Sequence, residues 1–453
     1  MAGRGWIGSG AFLFAIVGWC TPPAAQQLSA GPDTVEPLPP VNARSNVSKI
    51  GRSPTDESHQ LERDALARQA SARDPFILEQ WYGVKDRLKA RHNFEFGLAY
   101  TAISQHASED IIGGARGVAL LSRLYDYLDL SPPGVTPTKN AAGGIFEFQG
   151  KWMVIGADTP NNGFIGFSVE SRHTLGTEIP PQNLFLDAGA FWPTATAFNE
   201  FDLSVVSLYY EQYFADGAAG IRVGKMLPFT IYDYMSLKNP KTDFSNAAFN
   251  LNPAIGWASF GFGVAGVLRP IEPVYIVAGI HDINGGPNKG IQSFFEDEEY
   301  FKALEIGWDT ALDVGNGNLH VLFWDTDART STKTPASRGF TVGGEQQFGR
   351  LLPFVRYGYS EGGGTPLRHL VAGGLGFKKI FNRPNDVIGV GLSWGEPIAS
   401  EIFANQKALE VYYRVHLIDE IAVTPSVQYV KDPPLNLVQD ELYLVSIRGR
   451  AAF

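Results

Sequence analysis

Charged residues alternate with apolar ones along several short stretches of this 453-residue chain. Arg222 lies between Ile221 and Val223, and similar patterns surround Arg356 and Arg414. Because successive side chains of a β-strand point to opposite faces, this alternation predicts strands with one apolar face and one polar face. The residues that we assign to the polar face as candidate ligand-binding residues are Glu211, Arg222, Glu305, Asp309, Glu345, Arg356, Glu410, Tyr412, Arg414, Arg448 and Arg450.

A face of mixed charge suits polar, uncharged ligands. Sugar hydroxyls can exchange water for charged donors and acceptors, and rings such as Tyr209, Tyr412 and Trp324 can contact the apolar side of a sugar ring. Rings of charge of a single sign would instead favour ions. We therefore predict that this set binds sugar. For each residue taken alone, the alternative is mutual pairing within an inert wall.

Two strings match enzyme motifs in the wrong context. The string "GYSEG" (358–362) matches the G-x-S-x-G nucleophile motif, which needs a strand, a sharp turn and then a helix. A glycine-rich loop and a further strand pattern follow it instead. The string "GFGVAG" (261–266) matches a dinucleotide-binding pattern but also leads into no helix. We therefore expect no enzyme activity; a barrel enzyme that uses Ser360 and His369 is the alternative.

The chain offers no strong metal site or nucleic-acid surface. Its eight histidines show no paired metal-binding spacing, and the Asp325 and Asp327 pair lacks the glycine and distal glutamate of a Ca²⁺-binding loop. The net charge is −10, which gives no support to a nucleic-acid partner. We expect no cofactor.

Composition favours an all-β chain with many turns. Charged residues make up 19% of the chain, against roughly 25% in typical soluble domains. Aromatic residues make up 12%, and there are 50 glycines. No apolar run after the N-terminus is long enough for a membrane helix. A membrane-spanning chain of this kind must form a closed barrel, because every backbone N–H and C=O group needs a partner inside lipid.

The N-terminus predicts an export signal over residues 1–25. A short basic start with Arg4 precedes the apolar core "AFLFAIVGWC", and "TPPAAQ" supplies small residues for cleavage. Acylation of Cys20 is the alternative, which the bulky Trp19 disfavours.

Three further regions follow the signal. Residues 26–75 are rich in Pro, Ser, Asn and charge, and predict a flexible periplasmic leader. Residues 76–91 predict a short amphipathic helix, either packed on the barrel edge or reaching toward the pore mouth. Residues 92–453 predict the barrel itself.

The connections between the strand candidates alternate between tight and long. The tight ones are 215–217, 269–273, 315–317, 349–351, 381–386 and 418–420. Longer segments such as 228–256 separate them. This regular alternation of tight and long connections predicts a transmembrane up-and-down antiparallel barrel with its short turns at one end. Sixteen or seventeen strand candidates follow Asn93, with the boundaries least certain in 107–200.

The C-terminal stretch "ELYLVSIRGRAAF" alternates most clearly. Tyr443, Val445 and Ile447 share one parity, and Arg448 and Arg450 share the other. We expect this last strand to pair with the first strand and its final Phe to lie at the membrane interface. The pattern resembles the signal read by outer-membrane insertion machinery. A soluble exported β-sandwich is the alternative, with its apolar face against a second sheet.

Several stretches resemble the carbohydrate-selective porins, the OprB-like porins of Gram-negative bacteria. They include "LYYEQYFADGAAGIRVGKM", "NRPNDVIGVGLSWGEP" and "ALEVYYRVHLIDEIAVTPSVQYVKDP". The resemblance covers most of residues 80–453, with departures at "MLPFTIYDYMSL" and in 131–200. It implies a 16-stranded outer-membrane barrel through which sugars such as glucose diffuse passively into the periplasm.

The resemblance also sets the expected partners. These are small sugars and outer-membrane lipid, with the chain as a monomer or a homotrimer. A general diffusion porin for small polar solutes is the alternative function.

Overall fold

The computed structural model describes residues 50, 53–69, 78–109, 138–436 and 439–453, and the side chains of 66–69 are not described. The predicted signal peptide and most of the predicted leader lie outside the described residues. All the described residues belong to one unit, Asn46–Phe453.

Sixteen strands carry the two-residue alternation that the sequence predicts. They are β1 (Phe94–Ala107), β2 (Asn140–Ile155), β3 (Gly163–Thr174), β4 (Phe201–Phe214), β5 (Ala219–Met226), β6 (Gly261–Ile271), β7 (Val274–Asp282), β8 (Tyr300–Leu312), β9 (Gly315–Thr326), β10 (Ser337–Gln346), β11 (Leu351–Glu361), β12 (Leu367–Lys378), β13 (Val387–Pro397), β14 (Gln406–Ile418), β15 (Ile421–Lys431) and β16 (Glu441–Ala452). Each strand pairs antiparallel with its neighbours in the sequence. The prediction of an all-β, up-and-down barrel is confirmed.

The last strand closes the barrel on the first. In the β1–β16 pair, Ala99 lies opposite Ala452 and Ile103 opposite Arg448. The register extends to the terminal residue, since the amide of Phe453 donates to the carbonyl of Leu98 at 2.8 Å and the amide of Leu98 donates back at 3.0 Å. Closure leaves no unpaired strand edge, which is the condition for a sheet to cross lipid.

As predicted, one end of the barrel carries the shorter set of connections, and every connection longer than eight residues lies at the other end. The short-turn end carries 156–162, 215–218, 272–273, 313–314, 347–350, 379–386 and 419–420. The long-loop end carries 175–200, 227–260, 283–299, 327–336, 362–366 and 398–405, together with the described parts of two further connections, 108–109 with 138–139 and 432–436 with 439–440. The segment 227–260 turns into the barrel, and we call it the inner loop.

Side chains sort to the outside and the inside along every clear alternation. On β16, Tyr443, Val445 and Ile447 are each more than half exposed (51%, 54% and 54%), whereas Arg448 and Arg450 are 3% and 6% exposed. The outer surface of β8 repeats this pattern with Leu304, Ile306 and Trp308. An apolar belt around the barrel is the surface expected to face lipid.

Helices are few and short. They are α1 (Glu57–Gln69), α2 (Glu79–His92), α3 (Leu184–Ala188), α4 (Ala247–Asn250) and α5 (Ser293–Glu296), with 3₁₀ turns at Pro181–Asn183, Pro228–Thr230 and Ile380–Asn382. Within the described ranges, no helix has the length and apolar character needed to span a membrane.

Helix α2 lies at the short-turn end and leads directly into β1. Asn93 adopts a left-handed conformation (φ 51°), and its amide donates to the last-turn carbonyls of Leu88 and Lys89, which ends the helix. The hydroxyl of Tyr82 donates to Glu420 in the β14–β15 turn at 2.6 Å. The helix has no buried residue, so it covers the barrel rim rather than filling the interior.

Helix α1 lies inside the barrel. Its residues fall in the range that the sequence predicts as leader, yet Ser58 and Gln60 are buried and the preceding Asp56 is fully enclosed. The structure therefore places residues 53–69 within the barrel, where their polar side chains meet the polar face of the strands.

Candidate functional site

The eleven predicted ligand-binding residues all project from strands toward the interior. Nine of them are buried, and Asp309 and Glu345 are half-buried. Most of their partners come from two segments that enter the barrel. These are the inner loop and residues 53–69, which we call the α1 region. The polar wall therefore anchors these segments residue by residue.

The first anchor of the inner loop lies against β7 to β11. The amide of Asp233 donates to Glu305 at 2.6 Å, and the hydroxyl of Tyr275 donates to the other oxygen of Glu305 at 3.0 Å. The carboxylate of Asp233 pairs with Arg356, and both side chains are fully buried. Thr341 donates to the same carboxylate at 3.2 Å. Burial disfavours the charge of Asp233, but the Arg356 guanidinium holds its pKa well below the usual value.

The next residues of the loop continue along β10. Glu345 accepts hydrogen bonds from the amide and the hydroxyl of Ser236, the first at 2.8 Å. The ammonium group of Lys238 turns back into the loop, where it donates to the carbonyls of Phe229 and Tyr232 at 2.9 Å. Burial lowers the pKa of Lys238 to about 7.

The loop then crosses the interior. Lys241 pairs with Glu147 on β2 and, at 3.1 Å, with Glu170 on β3. In the closed order of sixteen strands, β2 and β3 lie opposite the β10 and β11 wall that holds Ser236. Residues 236–241 therefore bridge opposite walls of the barrel and narrow its interior.

The returning part of the loop is held by β14 and β16. Asp243 pairs with Arg414 at 2.8 Å, and Arg448 donates to the carbonyls of Pro240 and Asp243 at 2.6 Å. Glu410 accepts the amides of the two residues after Phe244, both at 2.9 Å.

Tyr412 packs its ring edge-on against Phe244 of the same loop, with the ring centroids 4.9 Å apart. Its hydroxyl lies 3.5 Å from Asp243. Tyr412 is therefore in contact with the inner loop rather than with open space.

The α1 region uses the remaining wall charges. Arg222 pairs with Asp56 at 2.8 Å and with Glu211 of β4 at 2.6 Å, and all three side chains are fully buried. Arg450 pairs with Glu147 at 2.8 Å and with Asp64 of α1 at 3.1 Å. These contacts hold α1 against the β2, β5 and β16 walls.

Asp309 lies apart from this network, near the short-turn end. Its carboxylate pairs with Arg269 at 3.1 Å and accepts from Asn318 at 3.0 Å. The structure thus brings nine of the predicted residues into contact with the inner loop or the α1 region. Glu211 is joined to this network through Arg222, and Asp309 lies beside neighbouring strands. The sugar-binding role of all eleven residues stays a prediction.

Sequence reasoning missed the loop residues that meet this wall, among them Asp233, Lys241 and Asp243. A signal was available, because 227–260 is the longest described connection and it carries charges within an otherwise apolar and aromatic segment. The sequence indicates helical turns near "LERDALARQASA" within the predicted flexible leader, but it did not predict that α1 lies inside the barrel.

Two cavities lie at opposite ends of the interior. The outer cavity, at the long-loop end, has a volume of about 370 Å³ and is lined by rings of Phe185, Phe191, Trp192 and Trp257. The inner cavity, at the short-turn end, has a volume of about 400 Å³ and includes Arg414 and Arg450. Among the described residues, the inner loop contributes to both linings and no residue is shared.

The family follows from a comparison with family models. The model described as carbohydrate-selective porin, OprB family, matches residues 166–453, which include the inner loop and most of both cavity linings. The chain belongs to this family. The OprB family is a porin family and not an enzyme family, and its members are sugar-diffusion channels, so the chain is a sugar-diffusion porin. Family and fold together imply an outer-membrane protein.

One of the solved porin structures shows that the fold is shared. The high-pH structure of Pseudomonas putida OprB superposes with a TM-score of 0.65 at 14% identity, covering 83% of this chain and 97% of that one. Its low-pH structure gives a TM-score of 0.49 at 12% identity over 84% and 100%. A mutant of the Rh. blastica porin gives 0.44 at 10% identity over 80% and 100%. The first of these structures shares the barrel fold of this chain. No curated protein matches the chain.

The G-x-S-x-G string has a structural role in this barrel. Ser360 is fully buried at the end of β11, where its hydroxyl meets Thr365 and donates to the carbonyl of Leu367. His369 is instead engaged by the hydroxyl of Tyr357 at 2.8 Å. The Ser360 hydroxyl therefore stabilises the β11–β12 connection.

Breaking the first anchor should release the inner loop. In Asp233→Asn, Arg356 keeps its buried charge without a carboxylate, and breaking a buried pair costs about 3–5 kcal/mol. We expect a higher and noisier single-channel conductance in planar bilayers and a lower thermal unfolding midpoint. The matched control is Glu361→Gln, which breaks the exposed pair with Arg338 and should leave the unfolding midpoint nearly unchanged. Equal conductance of the two variants would contradict the anchoring role.

Docking of α1 should weaken as pH rises. Burial, with the neighbouring Asp56 carboxylate, raises the pKa of Glu57 from 4.5 to about 7, and burial also raises that of Glu62. The docked helix thus binds protons more tightly than the undocked one. The stabilisation of docking by these protons is therefore fully present below about pH 4.5 and is lost as pH rises through 7. Amide exchange of residues 57–69, corrected for the intrinsic rate, should be faster at pH 8 than at pH 5.

Glu57→Gln should remove most of this pH dependence, whereas Glu296→Gln in the exposed helix α5 should preserve it. Greater protection of α1 at pH 8 than at pH 5 would show that Glu57 is not protonated on docking.

Proposed function

We propose that this porin carries monosaccharides, glucose among them, from outside the cell into the periplasm, driven by their concentration gradient alone. The observation that carries the proposal is the family match over residues 166–453. It is supported by an interior in which one charged loop separates two cavities of sugar-accommodating size. Pockets for small molecules typically have volumes of roughly 300–1,000 Å³.

The outer cavity is suited to receive the sugar. Phe185 and Trp257 present apolar ring faces to it, and Asp327 and Arg329 add charged groups to its lining. The indole nitrogen of Trp257 donates to the carbonyl of Leu251 at 2.6 Å, which fixes the ring relative to the inner loop. Aromatic faces can meet the C–H side of a sugar ring while the charged groups meet its hydroxyls.

The inner loop sets the width of the route past it. Its backbone amides and carbonyls are held by wall residues that leave little freedom, since Arg356, Glu410 and Arg448 each contact it directly. We assign the predicted set two roles. Arg414 and Arg450 line the inner cavity and contact sugar, and the other members except Asp309 position the inner loop and α1.

Such contacts must be weak for transport. A channel conducts when binding is favourable enough for entry yet weak enough for release. Hydroxyl contacts distributed over two cavities meet this condition better than one deep site.

The outer belt of apolar side chains contacts outer-membrane lipid in this proposal. The assembly is a monomer or a homotrimer, and native mass spectrometry from detergent distinguishes the two.

Liposome swelling tests the function directly. We expect the purified chain to admit glucose several times faster than an amino acid of similar size. Phe185→Ala should raise the glucose concentration at half-saturation about fivefold, because an aromatic contact of about 1 kcal/mol is lost.

The matched control is Phe381→Ala at the short-turn end, whose ring is 80% exposed and should not affect entry. Equal entry of glucose and the amino acid would reject sugar selectivity, and failure of both to enter would reject the channel.

A further inference from the structure

The inner cavity presents an unequal distribution of charge. It is lined by six cationic side chains, from Arg63, Lys241, Lys378, Lys379, Arg414 and Arg450. The carboxylates in its lining are those of Asp64, Asp419 and Glu420. A chain with a net charge of −10 therefore concentrates positive charge at this end of its interior.

One side of the cavity is neutralised by ion pairs. Lys241 pairs with Glu147 and Glu170, and Arg450 pairs with Glu147 and Asp64. These pairs hold the inner loop and α1 in place, so their charges are already satisfied within the protein.

The other side has fewer counter-charges. Arg63 and Arg414 share the single carboxylate of Asp243, at 3.5 Å and 2.8 Å, and that carboxylate is fully buried behind them. Lys378 donates to the side-chain oxygen of Gln347 at 3.1 Å. Among the described residues, neither Lys378 nor Lys379 has a carboxylate within 4.0 Å. Within 4.0 Å these four cations thus have one carboxylate, that of Asp243. Glu345 and Asp243 act on Lys378 from a greater distance, and Asp419 and Glu420 also belong to the cavity lining.

This cationic side also has donors without acceptors. Arg414 is 8% exposed, and its Nε atom has no hydrogen-bond partner among the described residues. The Nη1 atom of Arg63 is likewise buried and unpartnered within the described part of the chain. Leaving such donors unpaired costs free energy, so neither guanidinium group has its full set of acceptors within the described part of the protein.

Neutral polar groups lie beside these cations. Thr242, Asn385 and Thr424 belong to the same lining and can exchange hydrogen bonds with hydroxyl groups. The carboxylates of Asp419 and Glu420 lie in the β14–β15 turn, where Glu420 already accepts the Tyr82 hydroxyl. The cavity therefore combines a carboxylate-accepting side with hydroxyl-binding groups, in a volume of about 400 Å³ that exceeds the needs of a small inorganic anion.

We propose that the inner cavity binds the carboxylate of an acidic monosaccharide, a hexuronate, between Arg63, Arg414 and the Lys378–Lys379 pair. This inference rests on the proposed sugar-diffusion function and adds acidic sugars to its substrates. The guanidinium groups are the geometric partners of a carboxylate, and the two ammonium groups supply diffuse positive charge. The hydroxyls of the sugar then meet Thr242, Asn385 and Thr424.

The test compares glucuronate with glucose on the full chain in planar bilayers. Each sugar is titrated against the single-channel ion current, and the concentration that half-blocks the current is measured. We expect this concentration to be at least about tenfold lower for glucuronate. In K378Q/K379Q the ratio should fall to about two or less, because the half-blocking concentration of glucuronate rises. The single variant Lys379→Gln should give an intermediate ratio.

The matched control is K407Q/K431Q, which removes two lysines at the long-loop end, where they pair with Asp432 and Glu441. It should keep the full glucuronate preference. Heat-modifiable migration on gels verifies that each variant retains its barrel.

Three results would overturn the inference. They are equal half-blocking concentrations for the two sugars, a preference that survives K378Q/K379Q, and a preference that inorganic phosphate or chloride reproduces in full. In each of these cases glucose entry in liposomes continues and the proposed function stands. If glucose itself fails to enter, the proposed function fails independently of the charge on the sugar.

Discussion

The structure depends on one constraint, that every backbone N–H and C=O group within a lipid-spanning sheet must find its partner inside the protein. Pairing of β16 with β1, extended by the Phe453–Leu98 hydrogen bonds, satisfies this constraint by closing the sheet. Once the sheet is closed, the two-residue period of each strand leaves only two environments, an outer surface and an interior. The apolar outer belt and the charged inner wall are consequences of that closure.

A charged inner wall in turn requires partners, because unpaired charges in an enclosed space are costly. The inner loop and α1 supply them. Arg356 meets Asp233, Arg414 meets Asp243, and Arg222 meets Asp56. Each pair joins a strand to a segment inside the barrel. The charged residues that face away from lipid therefore also hold the inner loop and α1 in the interior, which these segments divide. In the proposed function, selectivity for sugars depends on the two cavities on either side of the loop.

The sequence predicted the barrel well and the site in part. Strand alternation at Tyr443 to Arg450 and the rotation of tight and long connections are local signals, readable within a few residues, and both are confirmed. The inward direction of Arg222 and Glu410 followed from the same local rule. Their partners did not, because Lys241 meets Glu147 from 94 positions away and Gln60 meets the same carboxylate from 87. Only the closed barrel makes such residues neighbours. The position of the polar helix α1 inside the barrel was not predicted for the same reason, because its sequence is compatible with solvent as well as with a charged barrel wall.

The central claim is that alternate residues of one strand face lipid and the barrel interior, and nitroxide labels on β16 test it most directly. Labels would be placed singly at Val445, Ser446 and Ile447 of the porin in lipid vesicles, and their accessibility to oxygen and to a water-soluble nickel complex measured. The account predicts high oxygen and low nickel accessibility at Val445 and Ile447, and low oxygen accessibility at Ser446, whose hydroxyl meets that of Ser426 at 2.6 Å inside the barrel. Oxygen accessibility highest at Ser446, with nickel reaching Val445 and Ile447, would contradict it.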